Sequence, residues 1–201
     1  MALFSYKTGV WPISLEIAGA RLSLNQDGSV QLQVGATEIG QGADTVFSQM
    51  AAETLHMDIS RVHIVTQQDT DVTPFDTGAY ASRQSFVTGT AVKECAQQLK
   101  QKILEYARTL VPGNVDRLEL EDGYILADGK PAISLEDLAM ESYYSLSNSS
   151  VLTAEVSRQV KKNTVASGCC FAEVEVDMKL GKIKVLDIVN VHDLSLIHIS
   201  E

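Results

Sequence analysis

The sequence predicts an α+β fold, hairpin-rich mixed sheets with two longer helices packed on them. Three observations point there. Short runs of alternating apolar and polar residues recur along the chain, joined by tight glycine-containing turns. Two segments instead repeat their apolar residues at helical spacing. The strand-like runs come in hairpins rather than alternating with helices, which disfavours a doubly wound parallel sheet.

Taken in order, Arg21 to Val34 reads as a hairpin. Leu22 and Leu24 alternate with polar residues, Asp27-Gly28 supplies the turn, and Val30, Leu32 and Val34 alternate again. Phe47, Met50, Ala51, Thr54 and Leu55 then fall on one helical face, with Asp44 at its start where a carboxylate suits the helix dipole. Val62, Ile64 and Thr66 read as a strand. Gln67 to Ser85 is polar and aperiodic, a long loop of the kind that often carries function. Val92, Cys95, Ala96, Leu99, Ile103, Tyr106, Ala107 and Leu110 hold one face of a second helix, ended by Pro112-Gly113. Short strands around Leu118–Leu120 and Tyr124–Leu126 flank Glu121-Asp122-Gly123. Ser134-Leu135-Glu136-Asp137 resembles a capping box opening a short helix, and Glu141 to Ser150 reads as a polar connector and candidate sub-boundary. A last hairpin runs up through Phe171, Val174 and Val176, turns at Lys179-Leu180-Gly181-Lys182, and returns through Ile183 to Val191. No internal repeat is present.

Bulk chemistry narrows the function. The 201 residues suffice for one domain or two small ones with a real core, and 45% hydrophobic with 21% charged residues is ordinary globular composition. A formal net charge of -10 and no Lys/Arg cluster argue against a nucleic-acid partner. No apolar run is long enough to span a membrane, and the N-terminus lacks a signal-peptide pattern. Cys95, Cys169 and Cys170 contain no C-x-x-C pair, so neither an iron–sulfur ligand set nor a zinc ribbon fits. Buried thiols in a reduced, cytoplasmic setting are the expectation.

Two loops carry chemistry. In Thr37-Glu38-Ile39-Gly40-Gln41-Gly42, two glycines bracket a glutamine just before a helix. Glycine permits a left-handed backbone and close ligand approach, and a helix start presents unpaired N–H groups to a phosphate. Gly40-x-Gly42 is not the dinucleotide fingerprint, because Thr45 stands at the third glycine position. On residues alone the loop reads equally as a tight turn or as an anion site. In the second loop, Thr77 to Gln84, small residues again precede a helix. There Ser82 reads as a helix cap and Arg83 as a solvated or ion-paired surface group. His56, His63, His192 and His198 lack metal spacing, Glu173 and Glu175 read as solvent-facing, and no nucleophile elbow occurs. Physical chemistry by itself stops at a ligand-binding α+β domain.

Read together, the ordered segments Gly35-Ala36-Thr37-Glu38-Ile39-Gly40-Gln41-Gly42, Asp71-Val72-Thr73-Pro74, Ala79-Tyr80-Ala81-Ser82-Arg83-Gln84 and Thr88-Gly89-Thr90-Ala91-Val92 resemble the molybdenum hydroxylase family. Within it they resemble the molybdenum-binding subunits of bacterial xanthine dehydrogenases. Phe171 to Asp177 and Val189-Asn190-Val191-His192-Asp193 agree, so the resemblance covers roughly residues 3–193. It implies a molybdopterin cofactor, in bacteria often as the cytosine dinucleotide. Gly40, Gln41 and Gly42 would face the pterin and its phosphate, as would Tyr80, Ala81, Ser82, Arg83 and Gln84, with the Ala81 backbone nearest the molybdenum. It further implies hydroxylation of purines, other heteroaromatics or aldehydes with water as oxygen source. Electrons would leave through iron–sulfur clusters and FAD on partner subunits.

The resemblance also implies departures. The family's glycine-rich molybdenum loop lies upstream of this region and its catalytic glutamate near the end of the full subunit, so no catalytic residue is expected here. Residues 1–193 are then expected to be part of a molybdopterin-binding domain, inactive alone. Leu194-Ser195-Leu196-Ile197-His198-Ile199-Ser200-Glu201 departs from the family and reads as a non-native tail. Trp11 lies where the family often sets an aromatic residue against substrate, although the residue itself reads as core or interface. Two other readings are a non-catalytic domain binding a nucleotide or other phosphate ligand, and a purely structural piece of a subunit interface.

Overall fold

The computed structural model describes residues 1–113 and 115–193. In chain order its elements are β1 (Ala2–Lys7), β2 (Ile17–Leu24), β3 (Val30–Val34), α1 (Ala43–Leu55), β4 (Val62–Ile64) and α2 (Gln84–Leu110). These are followed by β5 (Leu118–Glu121), β6 (Tyr124–Ala127), β7 (Lys130–Ser134), α3 (Leu135–Tyr144), β8 (Thr153–Gln159), β9 (Val165–Asp177) and β10 (Lys182–Asp193). They form two compact units. One is Leu15–Val160; the other joins Met1–Ser14 to the chain from Lys161 on. The larger is α+β and holds the mixed sheet, and the smaller is all-β and antiparallel, so the chain as a whole is of the predicted α+β class.

The larger unit is organised on a four-stranded sheet of order β4-β3-β2-β8. The β2–β3 hairpin is antiparallel, pairing Leu22 with Leu32, while β3 and β4 run parallel. Because side chains alternate across a strand, Ala18, Ala20, Leu22 and Leu24 share one face with Val30, Leu32 and Val34, all buried. Helices α1 and α2 cover that face, α2 lying across β2 and β8. A second sheet, β5-β6-β7, buries Leu118, Leu120 and Ile125 beside Leu135 and Leu138 of α3. Ser134 caps α3 as expected: the Asp137 N–H donates to Ser134 Oγ at 3.0 Å, and the second bond runs between side chains, the Ser134 hydroxyl donating to the Asp137 carboxylate at 2.6 Å.

Two differences from the sequence reading, in α3 and β7, have physical causes. Helix α2 agrees with it, starting at Gln84 between the cap read at Ser82 and the loop end read at Ser85, and its first turns bury Thr88, Gly89 and Ala91 beside Val87. A side chain at Gly89 would meet Met50 Sδ at 2.7 Å, so α1 and α2 approach closely there. Helix α3 continues through Tyr144 into the expected polar connector; Tyr143 is retained by donating its hydroxyl to the Leu24 carbonyl at 2.9 Å. Strand β7 was not evident because Pro131 interrupts it, which an edge strand tolerates. Strands β1 and β8 were also missed.

The smaller unit is the antiparallel sheet β1-β9-β10. The hairpin is longer than its alternation alone suggested, running from Val165 to Asp193. Asp177 fixes its turn by accepting the N–H groups of Lys179 and Leu180, each at 2.9 Å. Phe171, Val174, Val176, Ile183 and Val185 are exposed on it. Trp11 is half-buried in this unit, its carbonyl accepting Lys7 Nζ at 2.8 Å and Asn163 Nδ2 at 2.5 Å. The expected non-native tail, with His198, lies outside the described residues. Among the described residues no helix is long and apolar enough to cross a membrane.

Cys95 reports on how α2 is seated. It is fully buried, 3.2 Å from the Ala154 carbonyl, and burial pushes its thiol from 9.0 up to about 11. Cys169 and Cys170 are partly exposed. An aromatic disulfide reagent at about pH 8 should therefore label Cys169 and Cys170 in the native protein and reach Cys95 only after denaturation. Above pH 9 the unfolded chain loses a proton that the native thiol keeps, so stability should fall as pH rises towards 11. Rapid native labelling of Cys95 would contradict this packing.

Candidate functional site

Both candidate loops end in a helix start, and a pair of glutamines ties them together. Gln41 Nε2 donates to Gln84 Oε1 at 2.5 Å and to the Thr37 carbonyl at 3.1 Å; Gln84 Nε2 donates to the same carbonyl at 3.1 Å. Gln41 Oε1 accepts the Ile39 N–H at 2.6 Å. Gln41 is thus the brace of its own loop and its link to α2. Both side-chain N–H groups of Gln41 are engaged within the protein.

Gly40 and Gly42 adopt left-handed φ values of 94° and 81°. A side chain at either would meet nothing within 4 Å, so the space before the loop is open and glycine serves the backbone angle alone. The helix mouth behind them is not open to an added anion. Glu38 curls back, one carboxylate oxygen accepting Gly40 N–H at 2.6 Å and Gly42 N–H at 3.1 Å, the other accepting Asp44 N–H at 3.1 Å. These N–H groups, that of Asp44 foremost, hold the Glu38 carboxyl below its ordinary range despite some desolvation. Asp44 moves the other way, raised by burial and then by the Glu38 charge. The chain's own carboxylate therefore stands where the α1 start suggested a phosphate, and the Glu at the second position of Thr37–Gly42 was the sequence signal for it.

The second loop is held from beneath. Asp76 bridges to Ala18 of β2. This crossing needs glycine below it: a side chain at Gly35 would meet the Asp76 N at 2.8 Å, and one at Gly19 would meet Pro74 Cβ at 2.8 Å. Asp76 Oδ1 accepts Gly78 N–H at 2.8 Å, and Oδ2 accepts the Thr88 hydroxyl at 2.8 Å. Arg83 then closes the cluster. Its Nε donates to Glu16 at 2.5 Å, Nη1 to Asp76 at 2.5 Å and to the Gly78 carbonyl at 2.9 Å, and Nη2 to the Ile17 carbonyl at 2.7 Å. Arg83 is fully buried, and its two carboxylate partners raise its pKa against the lowering effect of burial.

This corrects the surface reading of Arg83: it is ion-paired but has no exposure, and its guanidinium faces inward. Its α-carbon is also the cap of α2, which no side chain caps, so Ser82 is not the N-cap. Between them the chain makes a tight turn in which Arg83 N–H donates to the Tyr80 carbonyl at 3.2 Å. Both central residues are left-handed, Ala81 at φ 49° and Ser82 at 52°. For residues with a side chain this costs roughly 1 kcal/mol each. The Tyr80 ring lies against the guanidinium, 5.4 Å from its centre, and its hydroxyl donates to Thr77 Oγ1 at 3.0 Å. Ala81 is partly exposed and Ser82 exposed. Glu16, Glu38, Asp76 and Thr88 were not singled out from sequence as site residues. Among the described residues no group of His, Cys, Asp or Glu is arranged to hold a metal ion.

Three comparisons bear on this arrangement. Residues 1–197 match the family model described as the molybdopterin cofactor-binding domain. The chain is 47% identical over 196 residues, 96% of its length, to the xanthine dehydrogenase molybdenum-binding subunit of Escherichia coli O157:H7. It spans about a quarter, 26%, of that relative. Its fold is similar to quinoline 2-oxidoreductase from Pseudomonas putida 86, with a TM-score of 0.79 at 22% identity over 94% of this chain and 26% of that one. It is equally similar to CO dehydrogenase from Oligotropha carboxidovorans, with a TM-score of 0.79 at 23% identity over 95% of this chain and 25% of that one.

The two kinds of glycine in the site separate experimentally. Gly35→Ala places a methyl against the backbone of the crossing loop and should cost about 1–3 kcal/mol in urea unfolding. Gly40→Ala meets no atom and pays only for its left-handed angle, about 1 kcal/mol. Equal costs for the two would mean that the 74–76 crossing does not rest on Gly35.

Proposed function

The chain belongs to the molybdopterin cofactor-binding family, and from that we propose that it supplies two cofactor-facing loops of a molybdenum hydroxylase acting on purines, other heteroaromatics or aldehydes. The observation that carries the reading is the Gln41–Gln84 bridge, which sets the loop before α1 and the start of α2 side by side. The 47% identity to a xanthine dehydrogenase molybdenum-binding subunit supports the oxidoreductase class.

The residues fit the group they would hold. Open space before Gly40 and Gly42 admits a flat ring system up to the backbone. Gly40, Gln41, Gly42, Tyr80, Ala81, Ser82 and Gln84 are the proposed cofactor contacts, Gly40 and Gly42 through shape, since Glu38 already holds their N–H groups. The Ala81 backbone is the proposed neighbour of the molybdenum. Arg83 belongs to the same segment but serves it from below. When bound, molybdenum supplies two-electron redox chemistry and activates water as the oxygen source.

What this chain's residues do is bind and orient. Glu38 gathers the Thr37–Gly42 loop and fixes its outward face. Gln41 and Gln84 keep that face in register with the turn at Ala81-Ser82. No general base is assigned on this chain; the proposed cofactor includes the cytosine dinucleotide form. Cys95 is buried and no C-x-x-C pair occurs. Iron–sulfur clusters and FAD are therefore proposed on partner polypeptides.

Metal and pterin analysis of the protein isolated with its natural partners tests this. Stoichiometric molybdenum and a releasable pterin nucleotide are expected. Gln41→Ala should lower the molybdenum content severalfold while leaving the far-ultraviolet circular dichroism unchanged. An assembly without molybdenum, or tight binding of a simple nucleotide in its place, would sink the proposal.

A further inference from the structure

We propose that Arg83, locked between Glu16 and Asp76, is a positioning residue that presets the Ala81-Ser82 turn before any cofactor arrives. The idea rests on the reading of that turn as a cofactor contact. It goes further in assigning the turn's shape to a buried ionic cluster rather than to the ligand.

Two successive left-handed residues with side chains do not persist by local preference. Glycine or asparagine would be the usual occupants of such a turn, and here they are Ala81 and Ser82. Something must hold the shape, and the neighbouring residue is Arg83. Its side chain is anchored to three separate pieces of chain: Glu16 and Ile17 at the start of β2, Asp76 and Gly78 in the crossing loop, and the Tyr80 ring within the turn itself. Four of its five N–H groups meet acceptors. A planar fork that satisfies four acceptors at once fixes both the position and the orientation of its own α-carbon. With Arg83 fixed inward and α2 running on from Gln84, the main chain from Tyr80 must close through Ala81 and Ser82 in the left-handed form. Thr88 carries the cluster one turn along α2 by donating to Asp76 Oδ2. Every one of these bonds joins one part of the chain to another.

Hydrogen exchange over residues 79–87, followed in the protein isolated with its natural partners, reads the turn directly. Arg83→Lys keeps a positive charge but cannot fork. It should speed exchange in this segment by at least about tenfold relative to the wild type, while Cys95 stays shielded from thiol reagents. The molybdenum electron paramagnetic resonance signal of the reduced variant should shift, normalised to its molybdenum content. Thr88→Val preserves shape and removes only the hydroxyl donated to Asp76, and should give a smaller increase in exchange at the same segment. Unchanged exchange in Arg83→Lys with Cys95 shielded would overturn the proposal. If Arg83→Lys does not fold, unchanged exchange in Thr88→Val overturns it alone. Absence of molybdenum from the wild-type assembly would instead sink the cofactor reading and leave the exchange result standing.

Discussion

A guanidinium without exposure, gripped by two carboxylates that have almost none, is the interaction on which this site depends. Burying charges is unfavourable unless each is paired and hydrogen-bonded, and here each charge is both. Arg83 has two carboxylates and two carbonyls, and Asp76 has Arg83, the Gly78 N–H and the Thr88 hydroxyl. Removing one member of such a cluster costs about 3–5 kcal/mol in other proteins, against a total stability of about 5–15 kcal/mol for a domain. The cluster fastens the beginning of β2, the crossing loop and the beginning of α2 to one point.

The rest of the site follows from that point through small residues and amides. Gly19 and Gly35 let the crossing loop lie on the sheet, which brings Asp76 within reach of Arg83. Gly89 lets α1 and α2 come together, and their starts then lie close enough for Gln41 to meet Gln84. Charged bonds beneath and neutral amide bonds above divide the labour. The buried ions resist deformation, while the amides present a polar surface with no net charge of its own.

Much of this was legible in the sequence, and the boundary of what was not is physical. Alternation and turn chemistry located the β2–β3 and β9–β10 hairpins, and Ser134 with Asp137 announced α3. The first turns of α2 bury Thr88, Gly89 and Ala91, which carry almost no periodic signal, so its start was legible from the loop and cap residues before it rather than from its apolar face. The two glycine-and-small-residue loops were visible as a pair, but their connection through Gln41 and Gln84 spans 43 positions in sequence and leaves no local mark. Arg83 was misread as a surface group for the same reason. Its partners Glu16 and Asp76 lie 67 and 7 positions away, and a charged side chain reveals its burial only when such partners are known.

The Glu38 carboxylate has a consequence for discrimination among ligands. By seating itself on the N–H groups of Gly40, Gly42 and Asp44, it discharges the positive end of α1 with a residue of the same chain. A loop of this design offers little to an inorganic phosphate or a stray sulfate, which would meet a negative charge already in place. On a protein of net charge -10 that matters, since nothing in the bulk field draws anions in. Recognition at this loop is therefore a matter of shape and neutral hydrogen bonds. The charge that remains at the loop is the Glu38 carboxylate, so added salt screens a repulsion of stray anions there rather than an attraction.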